Sequence, residues 1–226
     1  MKVTAVIPAY QEGARISKTV LAVLPYVDEI IVIDDGSEDE TRLNAWREGA
    51  VVLRHGINRG QGAALRTGNE AALKRGAEII VHIDADGQHD PISIPQLLIP
   101  IQQDTADVVL GSRFLGGEAV GIPWSRKALL NAARTFNAFA VGVPRSVTDP
   151  QSGFRAMTAK AVRMIDFKQD KMAHCSEILR LVTRSSLRWQ EVPVCVHYSE
   201  ESLKKGQKPW DAARIAWQLF LGAFVG

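Results

Sequence analysis

The sequence has few of the features that mark membrane-spanning, disulfide-rich or nucleic-acid-binding proteins. It contains two cysteines among 226 residues, Cys175 and Cys195, without metal-ligand spacing, which argues against a disulfide scaffold and favours a reducing compartment. No apolar run reaches the roughly 18 residues of a membrane-spanning helix. A formal net charge of +2 gives no sign of a nucleic-acid partner. The apolar part of the N-terminus is too short for a secretory signal, so we expect a cytoplasmic protein.

Apolar and charged residues occur in ordinary proportions, 46% and 23%, which is typical of a globular protein with a sizeable core. At this length we expect one domain over residues 1–200 and an appendage over residues 201–226, where a lysine-rich loop precedes an apolar helix. The pattern changes near residue 115, where a regular alternation of short strands and helices ends.

Short apolar runs rich in β-branched residues alternate with helical patterns in the first half. The runs predict strands at Val3–Ile7, Glu29–Ile33, Val51–Leu53, Ile79–Ile83 and Asp107–Leu110. The patterns between them predict helices at Arg15–Leu24, Glu38–Arg47 (capped by Ser37), Ala63–Lys74 and Ile94–Ile101. This alternation predicts an α/β fold with a mostly parallel, doubly wound sheet and helices on both faces.

The second half alternates less regularly. We predict helices at Trp124–Val143, Ala159–Ile165 and Ser176–Thr183, and an outer strand within Leu187–Tyr198. A last helix, Trp210–Val225, has an apolar end that is too short to span a bilayer and too apolar for a solvated helix. We expect it to pack on the protein itself, on the partner subunit of a homodimer, or in a membrane interface.

The densest chemical signal is the stretch Ile79–Pro91, I-I-V-H-I-D-A-D-G-Q-H-D-P. Asp84 and Asp86 follow the carboxyl end of the predicted buried strand, and side chains two residues apart point the same way from an extended backbone. Ligands of open α/β sheets bind at the carboxyl ends of strands, and Mg²⁺ takes one or two carboxylates together with substrate phosphates. The pair therefore predicts a metal site for a diphosphate, although an isolated D-x-D is more often two solvated aspartates in a turn.

Further motifs give that pair its context. They are P-A-Y-Q-E (Pro8–Glu12), V-I-D-D-G-S (Val32–Ser37), N-R-G-Q-G-A-A (Asn58–Ala64), G-S-R-F (Gly111–Phe114), T-D-P-Q-S-G-F-R (Thr148–Arg155) and E-V-P-V (Glu191–Val194). Together with D-A-D-G-Q-H they resemble the family-2 glycosyltransferases of the GT-A fold, and within them the polyprenyl-phosphate sugar transferases typified by dolichol-phosphate mannose synthase. The resemblance implies a nucleotide-binding half, residues 1–115, and an acceptor half, residues 116–200.

The resemblance also implies a nucleotide-binding edge. Pro8, Tyr10 and Glu12 would cradle the base and ribose, whereas Tyr10 taken alone is typical of a half-buried rim residue. Asp35 would accept a hydrogen bond from the base or ribose, or form an Asx-turn, or both. Arg66, near the start of a helix, would meet phosphate together with backbone N–H groups, with a solvated helix arginine as the alternative.

Relatives of this kind place the first aspartate of D-x-D near the ribose and the second on a divalent cation. Carried over, Asp84 lies near the ribose, Ala85 separates the two acids, and Asp86 binds Mg²⁺ or Mn²⁺, with Gln88 completing the metal shell. Arg113 would pair with the donor phosphates through its planar guanidinium, or instead close a loop by hydrogen bonds to carbonyl groups.

The implied reaction is the transfer of one hexose from a nucleoside diphosphate sugar to an acceptor, by in-line displacement with inversion. A polyprenyl phosphate acceptor is already anionic near pH 7 and needs no strong base. A hydroxyl acceptor needs one, and Asp149 is the candidate, with a simple turn residue as the alternative interpretation.

The chain departs from the mannose synthase pattern after its last strand. Ser199 takes the place of an arginine, and Lys204, Lys205 or Lys208 would supply the charge, with Lys205 at the better spacing. Since that loop helps to select substrates, both UDP-linked and GDP-linked hexoses stay open. The same lysines would attract an anionic surface, so we also consider a peripheral position on the cytoplasmic face of a membrane.

Two other classes of protein share parts of the pattern. Nucleotidyltransferases that make sugar nucleotides carry a Gly-rich loop with an arginine after the first strand, where this chain has A-Y-Q-E-G with Gly13 alone. A non-catalytic sugar-nucleotide binding protein would be expected to lose Asp86, which is present. The sequence therefore favours an enzyme that transfers a sugar.

Overall fold

A computed structural model describes residues 1–115, 144 and 146–197. The strands are β1 (Val3–Ala9), β2 (Glu29–Asp34), β3 (Val51–Arg54), β4 (Ile79–His82), β5 (Val108–Ser112), β6 (Arg155–Thr158) and β7 (Trp189–Pro193). The α-helices within these residues are α1 (Ile16–Val23), α2 (Thr41–Arg47), α3 (Gln61–Lys74), α4 (Ile94–Gln102), α5 (Ala159–Met164) and α6 (His174–Arg184). Short 3-10 helices at Leu24–Tyr26 and Pro91–Ser93 adjoin α1 and α4.

The strands form one seven-stranded sheet in the order β3-β2-β1-β4-β6-β5-β7. Neighbours are parallel except at β6, which runs antiparallel between β4 and β5. The predicted mostly parallel α/β sheet is thus confirmed, but the sequence did not predict β6. Its four residues, R-A-M-T, are too few to show a strand period, and they directly follow a turn-rich loop.

Apolar side chains pack on both faces of the sheet, as the doubly wound prediction requires. One core joins alternate residues of β1 to α1 and α4, with Ile7, Val20 and Leu97 fully buried. The other joins the opposite side of the sheet to α3, α5 and α6, through residues such as Val6 and Ile178. Because both faces are covered, ligands reach the sheet at its strand ends.

One predicted helix start is wrong. Helix α2 begins at Thr41, and Glu40 precedes it without a side-chain cap. The Ser37 hydroxyl accepts the backbone N–H of Gln11 at 2.9 Å, so this serine links the loops after β1 and β2 and does not cap the helix. Strand β7 is an outer strand as predicted, although it is limited to Trp189–Pro193.

Several predicted features lie outside the described residues. They are the helices at 124–143 and 210–225, the position of Ser199, and Lys204, Lys205 and Lys208. Among the helices that the structure does describe, none is both long enough and apolar enough to cross a bilayer.

Candidate active site

Three neighbouring parallel strands bring the predicted nucleotide-binding residues to one edge of the sheet. Strands β2, β1 and β4 lie side by side, and Asp35, Tyr10 and Asp84 follow their carboxyl ends. Tyr10 is 44% exposed, which leaves its ring open to a ligand. Pro8, in contrast, is buried inside β1 opposite Ile33, so it shapes the strand end from within.

Asp35 is almost fully buried and holds the loop that leads into α3. Its carboxylate accepts the backbone N–H of Gly60 at 2.6 Å and that of Arg59 at 3.0 Å, and it lies 2.6 Å from Nδ1 of His55. The neighbouring Asp34 accepts the N–H of Ser37, three residues further on, through Oδ1. Asp35 therefore fixes the glycine-bearing loop beside the site.

Asp84 is held by residues from three other parts of the chain. Its Oδ1 accepts a hydrogen bond from Nε2 of Gln61 at 2.7 Å, and its Oδ2 lies 3.5 Å from Nε2 of His89. Gly153 approaches so closely that a Cβ there would lie 3.1 Å from Oδ2. Burial alone would raise the pKa of Asp84, but the hydrogen bond and charge of His89, together with the charges of His174 and Arg155, lower the pKa overall. Asp84 is therefore a fixed, ionised group.

Asp86, two residues further on, has the opposite electrostatic character. Burial, the charge of Asp84 and the charge of Glu12 raise the pKa of its carboxyl group, against the hydrogen bond from the Gln88 N–H at 2.9 Å. That N–H binds Oδ1, and no described residue donates a hydrogen bond to Oδ2. The carbonyl of Ala85 between the two acids accepts the Thr19 hydroxyl at 3.0 Å, which anchors the loop to α1.

A buried basic cluster lies behind Asp84. Arg155 is 1% exposed and donates to Sγ of Cys175 at 3.5 Å, and Nε2 of His174 lies 3.4 Å from the same sulfur. Burial would raise the pKa of the Cys175 thiol, but the charge and hydrogen bond of His174 and the charge of Arg155 lower it to about 7. The charges of His174 and Arg155 also lower the pKa of Asp84. The cluster therefore helps to keep that carboxylate ionised.

Arg113 and Asp149, predicted separately, form one buried pair. Nε of Arg113 donates to Oδ2 of Asp149 at 2.6 Å, and Nη2 donates to Oδ1 at 2.7 Å, which is the bidentate geometry of a strong ion pair. Glu191 of β7 holds the loop in place, because its carboxylate accepts the N–H groups of Thr148 and Asp149 and the Thr148 hydroxyl. The phosphate role of Arg113 and the base role of Asp149 stay predictions.

Arg66 lies against the segment that precedes α6. Its guanidinium donates to the carbonyl of Lys168 at 3.0 Å and to the Asp170 carboxylate, and it lies 5.7 Å from the Phe167 ring centroid. At the start of α3, the N–H groups of Gly62 and Ala63 both donate to the Asp170 carbonyl. In this structure the helix start and Arg66 are therefore partnered by protein groups, and the phosphate role predicted for them stays a prediction.

The acidic residues fit a hard divalent cation that also binds a substrate. Glu12, Asp84 and Asp86 place negative charge close enough together to raise the pKa of Asp86, and such crowding is what a cation would relieve. Mg²⁺ commonly takes one or two carboxylates and completes its shell with water and phosphate oxygens. Among the described residues none donates to Oδ2 of Asp86, so this oxygen would be the foremost ligand of such a cation, with Gln88 adjacent.

Several site residues were not singled out by the sequence. Gln61, His89, Gly153 and Glu191 all lie within the motifs quoted above, so the signal was present but their partners were not evident. His55 lies in none of those motifs, and a lone histidine after a short strand gives no local signal of its contact with Asp35.

Comparison with known proteins places these features in a family. Residues 4–185 match the family described as Glycosyl transferase family 2. The chain is 31% identical over 237 residues to the UDP-N-acetylglucosamine–dolichyl-phosphate N-acetylglucosaminyltransferase of Methanococcus voltae, with 96% of this chain and 94% of that protein covered. It is 34% identical over 174 residues to the undecaprenyl-phosphate mannosyltransferase of Micrococcus luteus, with 74% of this chain and 70% of that protein covered.

The fold itself has close counterparts among solved structures. Glucosyl-3-phosphoglycerate synthase from Mycobacterium tuberculosis, crystallised with Mn²⁺, uridine diphosphate and glucosyl-3-phosphoglycerate, gives a TM-score of 0.75 at 22% identity. The match covers 96% of this chain and 77% of that one. At this level of identity the likeness establishes a shared fold.

Proposed function

The chain belongs to glycosyl transferase family 2, and we propose that it moves a hexose from a nucleoside diphosphate sugar to a polyprenyl phosphate with inversion. The names of the relatives from Methanococcus voltae and Micrococcus luteus support a lipid phosphate acceptor, and the first of these names also supports a UDP-linked donor. The observation that carries this proposal is the carboxylate of Asp86, one oxygen of which accepts no hydrogen bond from the residues that the structure describes. It lies beside the fixed, ionised carboxylate of Asp84, at the edge where Tyr10 is exposed.

The donor occupies the edge formed by the ends of β2, β1 and β4. Tyr10 offers a ring for the base, and Asp84, held by Gln61 and His89, offers an oriented acceptor for a ribose hydroxyl. Asp35 shapes this edge by fixing the Arg59–Gly60 backbone.

Asp86 and Gln88 hold Mg²⁺ or Mn²⁺ in this proposal, and the Mn²⁺ in the Mycobacterium tuberculosis structure supports such a cation. When bound, the cation supplies positive charge against the charge that develops on the leaving diphosphate. Asp84 keeps its negative charge through His89 and the basic cluster, so it orients the donor and does not act as an acid.

Arg113 stabilises the negative charge of the phosphates, and Asp149 orients the Arg113 side chain. Two N–H groups of the guanidinium are fixed on the buried Asp149 carboxylate, which aims the planar group and limits its motion. A lipid phosphate attacks as an anion, so no proton has to be removed. Asp149 is then a positioning residue, and its role as a base arises only with a hydroxyl acceptor.

The direct test of this function is a transfer assay with a panel of radiolabelled UDP and GDP sugars. We expect product with polyprenyl phosphate and Mn²⁺ or Mg²⁺, and none with the neutral polyprenol of the same chain length. Transfer to polyprenol or to a soluble alcohol, with none to the phosphate, would support the hydroxyl-acceptor alternative. Donor binding without transfer to any acceptor would support a non-catalytic binding protein and overturn the proposal.

A further inference from the structure

A second group of metal-ligating side chains lies beyond the D-x-D loop. Among the described residues, one set of three or more His, Cys, Asp or Glu side chains has its ligand atoms within 4.8 Å of one another, and it consists of Asp90, Cys195 and His197. Nε2 of His197 lies 3.0 Å from Oδ2 of Asp90 and 3.8 Å from Sγ of Cys195. Nothing in the proposed sugar transfer uses these three side chains.

Backbone pairing explains why residues so far apart in sequence meet here. The chain after β7 lies antiparallel to the D-x-D loop, with a bridge between His89 and Val196. The Asp90 N–H donates to the Cys195 carbonyl, and the His197 N–H donates to the Gln88 carbonyl.

Side chains alternate along these paired segments, as they do in any extended chain. Val196 is 1% exposed and His89 is 8% exposed, so both point inward. Cys195 and His197, one residue to either side of Val196, point to the other face, where Asp90 also lies. The backbone pairing therefore places the three side chains on the same face, next to one another.

The two separations from His197 fit a tetrahedral site for a borderline-soft cation, and the Cys195 sulfur and Asp90 oxygen lie within 4.8 Å of each other. With Zn–S of about 2.3 Å and Zn–N or Zn–O of about 2.0 Å, tetrahedral geometry separates sulfur from nitrogen by about 3.5 Å and nitrogen from oxygen by about 3.3 Å. The observed 3.8 Å and 3.0 Å are within about 0.3 Å of these separations. Thiolate and imidazole select zinc-like metals over Mg²⁺ or Mn²⁺, which prefer oxygen ligands.

A plain ion pair between Asp90 and His197 is the simpler use of two of these residues. Such a pair is half-exposed and would contribute little stability. The ion pair does not involve the Cys195 sulfur. In a metal site, by contrast, this sulfur is one of the three ligands. The ligand set thus explains all three positions where the ion pair explains two.

We propose that Asp90, Cys195 and His197 bind Zn²⁺ or a metal of its class, separately from the hard cation at Asp86. Binding requires the thiolate, so the Cys195 proton is released to solvent. The metal would tie the segment that follows Asp84 and Asp86 to the chain beyond β7, and so stabilise the loop that carries both acids. This inference does not depend on the proposed function.

The test is a Co²⁺ titration of the reduced full-length protein, followed by its absorption spectrum. We expect one equivalent of Co²⁺ to give tetrahedral d–d bands and a thiolate-to-cobalt charge-transfer band, and Zn²⁺, but not excess Mg²⁺, to remove both. Cys195→Ser should abolish the charge-transfer band and weaken Co²⁺ binding at least about tenfold, since even the loss of an outer partner costs that much.

Cys175→Ser and Asp86→Asn are the matched controls, and both should keep the charge-transfer band. Cys175→Ser removes the second thiol of the protein, and Asp86→Asn removes the carboxylate assigned to the hard cation. Circular dichroism of each variant verifies that it is folded. A wild-type protein without a thiolate band, a band that survives Cys195→Ser, or a band lost in folded Cys175→Ser would each overturn the proposal.

Discussion

Glu191 accepts hydrogen bonds from both backbone N–H groups and the hydroxyl that shape the loop at Thr148 and Asp149. We expect Glu191→Ala to lower the free energy of unfolding by about 1 to 2 kcal/mol, because these donors lose a charged acceptor. Transfer should fall as well, since Asp149 no longer holds Arg113 in one orientation. Urea unfolding and steady-state rates measure the two effects.

The control for Glu191 is Glu38→Ala, which removes an exposed carboxylate and should change stability by less than about 0.5 kcal/mol. Glu191→Gln, which keeps an acceptor oxygen, should recover part of the loss. Equal stability of Glu191→Ala and wild type would show that the loop does not depend on this carboxylate.

At the scale of single residues, the motifs predicted which side chains lie at the site, but not which groups those side chains bind. The resemblance assigned Asp84 to the ribose and Asp86 to the metal, but it did not predict that their carboxyl pKa values shift in opposite directions. His89 and the buried basic cluster lower the pKa of Asp84, whereas burial and the charge of Asp84, with a smaller contribution from Glu12, raise the pKa of Asp86. Such partners depend on how distant loops fold together, which local sequence does not determine.

At the scale of secondary elements, α3 docks against the segment before α6 through a glycine. A Cβ at Gly62 would lie 2.1 Å from the carbonyl oxygen of Gln169, so a methyl group cannot fit without moving the backbone. We expect Gly62→Ala to destabilise the protein by about 1 to 3 kcal/mol. The free energy of unfolding from denaturant titration checks this value.

Gly56→Ala provides the matched control. A Cβ at Gly56 meets no atom within 4 Å, and this glycine does not have a positive φ. The same substitution there should be neutral or stabilising by up to about 1 kcal/mol, through a less flexible unfolded chain. Equal effects of the two substitutions would show that the docking contact is unimportant.

Arg188 joins the starts of β5 and β7 by donating hydrogen bonds to Asp107. These bonds, opposed by burial of the carboxyl group, lower the pKa of Asp107. A carboxyl group with a lowered pKa stabilises the fold when the pH is above the ordinary carboxyl pKa of about 4. This stabilisation is lost as the pH falls through the pKa of the folded state.

We therefore expect Arg188→Gln to destabilise the protein at pH 7, with a difference from wild type that begins to shrink below about pH 4. Urea unfolding at a series of pH values gives this difference directly. Arg184→Gln, at an exposed arginine near the end of α6, is the control and should show no such trend. A difference that grows as the pH falls would contradict the assignment.

The elements that the sequence predicted best are those with a clear period or strong boundaries. The strands β1, β2 and β4 and the helix α3 were found within a few residues, because β-branched runs and glycine-bearing loops bound them. Strand β6 was missed, since four residues carry no period and its pairing with β4 and β5 is a tertiary contact. The wrong start of α2 reflects Ser37, which bonds across to another loop.

At the scale of the whole molecule, the segment from Lys204 to Val225 carries our prediction about the membrane, and it lies outside the described residues. Its lysines and its apolar end favour a peripheral position on an anionic surface. We expect the full chain to co-sediment with anionic vesicles at low salt, and a chain ending at Lys208 to stay largely in the supernatant. If both chains pellet equally, or if neither pellets, the membrane anchor is ruled out. The helix would then pack on the protein itself or on a second subunit.

The most direct test of metal-assisted sugar transfer compares wild type with Asp86→Asn in one assay, with polyprenyl phosphate and the preferred donor. We predict that the substitution lowers turnover by about 10²- to 10³-fold or more, as the loss of a group that stabilises transition-state charge does. Burial and the charge of Asp84 raise the pKa of the Asp86 carboxyl group, so its ionised form destabilises the fold near pH 7. The free energy of unfolding of Asp86→Asn should therefore equal or exceed that of the wild type. Asp166→Asn, at an exposed aspartate, should leave both unchanged. Chelation of divalent cations should abolish the wild-type reaction, whereas near wild-type turnover by Asp86→Asn, or transfer that survives chelation, would contradict the assignment.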